Sequence, residues 1–136
     1  MPVLSSYDYA LLRVMPSVER GECVNVGVIL FCRTRQFLEA LIALDERRVL
    51  ALDPDLDLEA LREHLEIISL ICEGKEEGGP IARLTLSERF HWLVAPRSAI
   101  IQTSVVHSGL CRDPATALQH LVNTMVKPHS AKTARA

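Results

Sequence analysis

The chain has 136 residues, of which 49% are apolar and 24% are charged, so it is long enough to fold around one core of its own. Its aromatic content of 4% and net charge of −2 argue against a protein that binds nucleic acid by base stacking and basic charge. The four cysteines have no CxxC spacing, and the first residues show no signal-peptide pattern. The longest apolar run, 26–32, is far shorter than the ~20 residues that span a bilayer. These features predict one cytoplasmic domain without a membrane segment.

The first part of the chain predicts three β-strands. Residues 7–15 are rich in β-forming residues and apolar on both faces except at Arg13, which is typical of a central strand. Residues 24–32 have the same character, and Gly27 within them predicts a bulge or a close approach of another backbone. The turn to the third strand, 36–43, is too short for a crossover helix. The three strands are therefore expected to form an antiparallel meander.

The remainder is predicted to be mainly helical. Capping residues and apolar positions spaced three and four apart predict helices over 45–52, 57–72, 86–95 and 114–127. One further strand is expected over 99–107, and it could pair beside the first strand. The predicted fold is α+β, with a mainly antiparallel four-stranded sheet (a three-strand meander plus one later strand) and three to four helices. We expect a single domain over residues 1–127, followed by a disordered tail over 128–136.

The loop between the first two strands, residues 16–22, carries more ionisable side chains than a turn needs; we call it the hairpin loop. A guanidinium within an apolar strand keeps its charge, so Arg13 must reach an anion or water. One interpretation is an ion pair with Glu19 or Glu22 that fixes the loop. The other is a site in which Arg13 or Arg20 binds an anionic ligand and a loop glutamate transfers protons. Asn25 is then expected to shape the far side of the site.

A second polar segment, residues 97–107, surrounds the predicted last strand. Arg97 and Ser98 precede the strand, whereas Gln102 and Ser104 share one of its faces. His107 should lie on the opposite face unless a bulge intervenes. A polar strand face is typical of the solvated side of a sheet. The alternative is a pocket wall in which Arg97 binds an anion and His107 acts as an acid or base.

The motifs of common phosphate, dinucleotide, zinc and serine-nucleophile sites (GxxxxGK[ST], GxGxxG, HExxH and GxSxG) are absent from the sequence. The five histidines are scattered without close ligand spacing. We therefore expect no cofactor and no metal site. Residues 97–136 contain five basic residues and one acidic residue, so nucleic-acid binding at this end is a third and weaker hypothesis.

Two blocks of sequence carry a resemblance to a known family. They are YDYALLRVMPSVERGECVNVGVILFCR, which begins at Tyr7, and RFHWLVAPRSAIIQTSVVHSGLCRDP, which covers residues 89–114. Together with the acidic helical middle, they make roughly residues 5–127 similar to the bacterial domain-of-unknown-function 3037 family. The resemblance brings no established activity and no catalytic residues. It implies an accessory or regulatory protein whose partner is a HipA-like kinase.

The favoured hypothesis is a small non-catalytic binding or accessory module that presents its hairpin loop to a protein partner or to a small anionic ligand. It is favoured because no complete set of nucleophile, base and orienting residue is readable from the sequence. The alternative is a small enzyme that acts on an anionic substrate. Such an enzyme needs Arg13, the hairpin loop and the second polar segment to meet in one pocket. The residues that would carry its chemistry are Arg13, Glu19, Arg20, Glu22, Arg97 and His107.

Overall fold

The computed structural model describes residues 3–97 and 99–128 and confirms the α+β architecture, with four α-helices and a five-stranded antiparallel sheet. The strands are β1 (Ser5–Val14), β2 (Val24–Cys32), β3 (Phe37–Ile42), β4 (Ile101–Thr103) and β5 (His107–Cys111). The helices are α1 (Glu46–Leu52), α2 (Leu58–Glu73), α3 (Leu86–Val94) and α4 (Pro114–Met125), with short 3₁₀ turns at Glu76–Gly78 and Pro80–Arg83. Of the tail expected over 128–136, all but Pro128 lies outside the described residues.

The first three strands form the predicted meander, and β1 is central. The strand order is β3-β2-β1-β4, and β5 also pairs with β1. β4 pairs with the end of β1 at Leu12–Val14, whereas β5 pairs with its beginning at Ser5–Tyr9, so both lie along the same side of β1. The prediction of one strand over 99–107 was therefore wrong. Two short strands occupy this side, and the second continues to Cys111.

The break between β4 and β5 is a bulge built around Ser104. Leu11 donates its backbone N–H to Ser104 Oγ over 2.8 Å, and its carbonyl accepts from Ser104 N–H over 2.9 Å. A buried side-chain hydroxyl thus replaces one backbone acceptor of the ladder. Tyr9 and Arg13 are four positions apart on β1, but their partners His107 and Gln102 are five positions apart. The extra residue places Gln102 and His107 on the same face of the sheet.

Gly27 has both features predicted for it. Leu12 pairs with Gly27 and Arg13 pairs with Asn25, so Val26 is an extra residue and β2 is bulged here. A Cβ atom on Gly27 would lie 2.9 Å from the carbonyl oxygen of Leu41 on β3. Glycine therefore allows β3 to approach the bulge closely.

Helices cover both faces of the sheet. The side chains of Leu12, Val26 and Ile29 point to one face, where they form a core with α1, α2 and α3. Those of Leu11 and Val28 point to the other face, where α4 packs mainly across β2 and β3. Every helix within the described ranges is too short or too polar to cross a membrane.

The predicted capping signals set the helix ends. Asp45, Asp57 and Asp113 cap α1, α2 and α4 through their carboxylates, and Thr85 forms the expected capping box with Glu88. The helices therefore begin within about one residue of the predicted positions.

Replacing Ser104 with alanine should lower the free energy of unfolding by about 1–3 kcal/mol, because the Leu11 N–H would lose its only side-chain acceptor in a buried site. Urea denaturation followed by circular dichroism measures the change. Ser6→Ala is the matched control, since Ser6 is an exposed serine of β1 and should change stability by less than about 0.5 kcal/mol. Equal effects of the two variants would contradict a structural role for the Ser104 hydroxyl.

Candidate functional site

Arg13 is half-buried on the α4 side of β1, where an amide and a helix end take the place of an acid. Its Nε donates to Asn25 Oδ1 over 3.3 Å, and Asn25 Nδ2 donates to the Met125 carbonyl over 3.1 Å. Met125 is the last residue of α4, whose C-terminal carbonyls form the negative end of the helix dipole. In the described part of the chain, Arg13 forms no ion pair, so neither Glu19 nor Glu22 holds it as the ion-pair interpretation required.

The ion pair of the hairpin loop joins Arg20 and Glu22 instead. Arg20 Nε lies 2.6 Å from Glu22 Oε1, and both side chains are largely exposed. The hydrogen bond from Arg20 lowers the pKa of Glu22, and the same bond raises the pKa of Arg20. Both residues line a cavity of about 220 Å³ beside Leu52 and Asp53, and Glu19 is exposed on the loop. The charges of Arg20 and Glu22 are therefore already matched within the loop.

Arg97 is fixed at the end of α3. Its guanidinium carbon lies 4.6 Å from the centroid of the Trp92 ring, and its Nη2 donates to the Trp92 carbonyl. Gln102 donates to the Ala99 carbonyl over 2.9 Å and lies opposite Arg13. Ser98, which we predicted as a ligand-binding residue, lies outside the described residues.

Within the described residues, the hairpin loop and the second polar segment line separate cavities. The cavity lined by Arg20 and Glu22 has no residue in common with the groove that Arg97 lines. His107 is exposed and pairs with Tyr9, about 13 Å along β1 from Arg13. Its ring centroid lies 5.4 Å from that of Tyr9. Across the two parts of the chain, the described structure places Arg13 opposite Gln102.

An apolar groove with a volume of about 390 Å³ lies between α2, α3 and residues 99–103. This volume lies within the range of ligand-binding pockets. Three large apolar side chains at the groove keep 40–45% of their surface exposed: Ile67, Trp92 and Ile100. The remaining lining includes Leu12, Leu56, Asp57, Ala60, Leu61, His64, Ile68, Ile71, Leu93, Arg97, Ala99, Ile101, Gln102 and Thr103.

This groove was not predicted from the sequence, although the apolar stripe of α2 carried a sign of it. The apolar stripe of α2 widens at Ile67, beyond what one core-facing side of a helix needs. The helix buries Leu61 and Leu65, while Ile67 stays exposed at the groove. Which elements form the second wall depends on the chain path and could not be inferred from this stripe.

A smaller polar cavity of about 270 Å³ was also missed. Its lining includes Asp8 of β1, Arg33 after β2 and His91 of α3. Ser108 donates to Asp8 Oδ1 over 2.7 Å, and His91 Nδ1 lies 2.7 Å from the Ser87 carbonyl. The residues that line this cavity come from distant parts of the sequence, so no local sequence pattern predicts it. Within the described residues, no cluster of three metal-ligating side chains forms here or elsewhere.

Cys72 is too deeply buried to be an activated nucleophile. Cys32, Cys72 and Cys111 are buried, and Cys23 is exposed on the hairpin side of β2. Burial raises the pKa of Cys72 to about 12, although nearby Arg89 opposes the shift. A thiol with so high a pKa stays protonated at neutral pH and is inert.

A family model described as "Protein of unknown function (DUF3037)" matches residues 9–126 of the chain. This match confirms the resemblance seen in the two sequence blocks. No curated protein matches the chain, and no solved structure does.

Replacing Cys72 with alanine should flatten the loss of stability at alkaline pH. Burial raises the pKa of this thiol from 9.0 to about 12, so between these values the folded state keeps a proton that the unfolded state has lost. As the pH rises through this window, the free energy of unfolding falls by about 1.4 kcal/mol per pH unit from this thiol alone. Below the unfolded pKa the contribution is complete. Urea denaturation of both proteins at a series of pH values measures the slopes.

The exposed thiol provides the control for this measurement. Cys23→Ala should keep the wild-type slope, because Cys23 is exposed in the folded state. A Cys72→Ala slope that equals the wild-type slope would show that this thiol does not titrate differently in the two states.

Proposed function

The chain belongs to the DUF3037 family, and because that family's description names no activity, we propose a function from the geometry of the site. The protein is a non-catalytic binding module that receives a short apolar segment of a protein partner in the groove between α2, α3 and residues 99–103. The single observation that carries this proposal is the exposure of Ile67, Trp92 and Ile100 around one apolar groove. Large apolar side chains that stay exposed around a concave surface are typical of interaction sites.

The groove has the composition of an interaction hot spot. Tryptophan and arginine are the residues most enriched at the energetic centres of protein interfaces, and Trp92 and Arg97 contact each other at this rim. The indole also holds the guanidinium in place, so less side-chain entropy is lost when a partner binds. Burying the exposed parts of Ile67 and Ile100 would add about 25 cal/mol for each Å² of apolar surface.

The charge at the rim defines the partner further. Arg97 bonds to a backbone carbonyl and an aromatic ring, and within the described residues it forms no ion pair. Asp57, which also lines the groove, already accepts from the Ala60 N–H as the cap of α2. An acidic side chain beside the apolar anchors of the partner would therefore complement Arg97.

The hairpin loop becomes the weaker recognition surface. Arg20 and Glu22 neutralise each other, and Arg13 is held by Asn25, so these residues offer a partner less unmatched charge than Arg97 does. A small anionic ligand at the hairpin loop would have to compete with the Arg20–Glu22 pair. The enzyme alternative loses support for a separate reason, because Arg20 and Glu22 line one cavity and Arg97 lines another.

A peptide-display library tests the groove directly. Wild-type protein should select peptides that combine two or more large apolar residues with an aspartate or glutamate. Ile67→Lys should weaken binding of a selected peptide at least tenfold, because a charge would enter the apolar groove. Arg97→Glu should remove the preference for acidic residues. Affinities are measured by isothermal titration calorimetry or fluorescence anisotropy.

Arg47→Glu is the matched control, since Arg47 is an exposed arginine of α1 that does not line the groove. Its affinity for the selected peptide should equal that of the wild type. Failure to enrich any peptide, or full binding by Ile67→Lys, would contradict the proposal. A HipA-like kinase is the first whole protein to test, with the same three variants.

A further inference from the structure

The β4–β5 side of the sheet is an edge that lacks charged and proline side chains, although both strands are short and a bulge divides them. Natural edge strands are guarded by charged side chains, proline, bulges or short length, which discourage pairing with another chain. Residues 99–111 contain no Asp, Glu, Lys, Arg or Pro. Val105 is 74% exposed, Val106 43% and Leu110 66%. The opposite edge strand, β3, carries the exposed Glu39.

The backbone groups of β5 are arranged to accept another strand. Leu11 and Met15 turn their backbone groups toward β4 and the bulge. Because alternate residues of an antiparallel strand face the same neighbour, Tyr7 and Tyr9 turn theirs toward β5. Their partners in β5 therefore point inward, and Ser108 points its N–H and C=O away from the sheet. Leu110, two residues on, does the same.

We propose that β5 pairs antiparallel with β5 of a second copy of this chain, joining two five-stranded sheets into one across a two-fold axis at Ser108. This inference goes beyond the groove and does not rest on it. In this register Ser108 lies opposite Ser108 of the second copy. Val106 of each copy lies opposite Leu110 of the other, so this pair occurs twice. These positions alternate in step with Ser108 and Leu110, whose backbone N–H and C=O groups point outward. The pairing would therefore give those free groups hydrogen-bond partners in the second copy.

The same register also suits the side chains. Leu110 lies opposite Ser6 and Ser108 opposite Asp8, so both point to the face that carries α1, α2 and α3. Two valines and two leucines would then form a small apolar cluster over the new strand pair and bury surface that is exposed in the monomer. The exposed Val106 and Leu110 of one copy would thus be covered by the same two residues of the other copy.

A second copy fits this edge better than a charged strand would. The segment 99–111 has no acidic, lysine or arginine residue, so its meeting with itself brings no like charges together. Asp8, the acid next to Ser108, lies one strand further in on each copy. The two carboxylates would be about 14 Å apart, which exceeds the Debye length at physiological salt.

The dimer should depend on concentration, because pairing of two short strands buries less than a standard interface of ~1,600 Å². Sedimentation velocity over rising concentration should show wild-type protein approaching twice the monomer mass. Leu110→Lys should weaken dimerisation at least tenfold, since two lysines would enter each interface. Val18→Lys is the control, because Val18 is 50% exposed in the hairpin loop and away from β5. Equal melting temperatures establish that Leu110→Lys is folded.

Disulfide trapping tests the register. A Ser108→Cys variant in a Cys23→Ser background should form a covalent dimer on mild oxidation, since facing hydrogen-bonded residues have Cα atoms about 5.5 Å apart. Gln119→Cys in the same background, on exposed α4, should not. Monomeric wild-type protein at every concentration, equal association of Leu110→Lys and wild type, or equal trapping at both positions would overturn the proposal. Peptide binding in the groove should be unchanged in Leu110→Lys, which separates the two proposals.

Discussion

The side of β1 that faces β4 and β5 is the constraint on which most of this structure depends. The backbone N–H and C=O groups of a central strand all need hydrogen-bond partners. The Leu11 N–H donates to the Ser104 hydroxyl, which takes the place of the backbone carbonyl that a regular ladder would supply. Because the Ser104 hydroxyl takes the place of that carbonyl, the edge accommodates one extra residue. The extra residue determines which face of the sheet each β5 side chain points to. β4 can then form a wall of the apolar groove, while β5 continues along β1 with its outward groups free.

The bonding of Arg13 leaves the loop acids free of it. A guanidinium in a sheet does not need a carboxylate when an amide can relay its hydrogen bond to the end of a helix. Arg48 adds to this arrangement, because it donates to the carbonyl of Val126 at the end of α4. Glu22 is thereby left to Arg20, while Arg97 lies beside the indole of Trp92 and forms no ion pair within the described residues. For this reason we propose the groove, and not the hairpin loop, as the binding surface.

Local signals explain what the sequence could predict. The three early strands, the helix caps and the role of Gly27 follow from residue patterns within short windows, and the structure has all of them. The division of the last strand could not be foreseen, because a serine in a polar strand looks the same whether its hydroxyl meets water or a backbone N–H. The groove was equally hidden, since its walls come from parts of the chain that only the fold brings together. Arg13 lies within the central strand as predicted, but its partner is the Asn25 amide, which is bonded to the end of α4, and not a loop glutamate.

The pairing of β1 with β4 and β5 also has a consequence for how the chain reaches this fold. β1 meets β2 through a short loop, but its other neighbours lie about ninety residues further along. Loops of that length close slowly, so formation of the second ladder should limit the folding rate. On the ribosome, one side of the central strand stays unpaired until residues 101–111 have emerged. During that interval the nascent chain exposes a long apolar strand edge, which is the kind of surface that chaperones recognise.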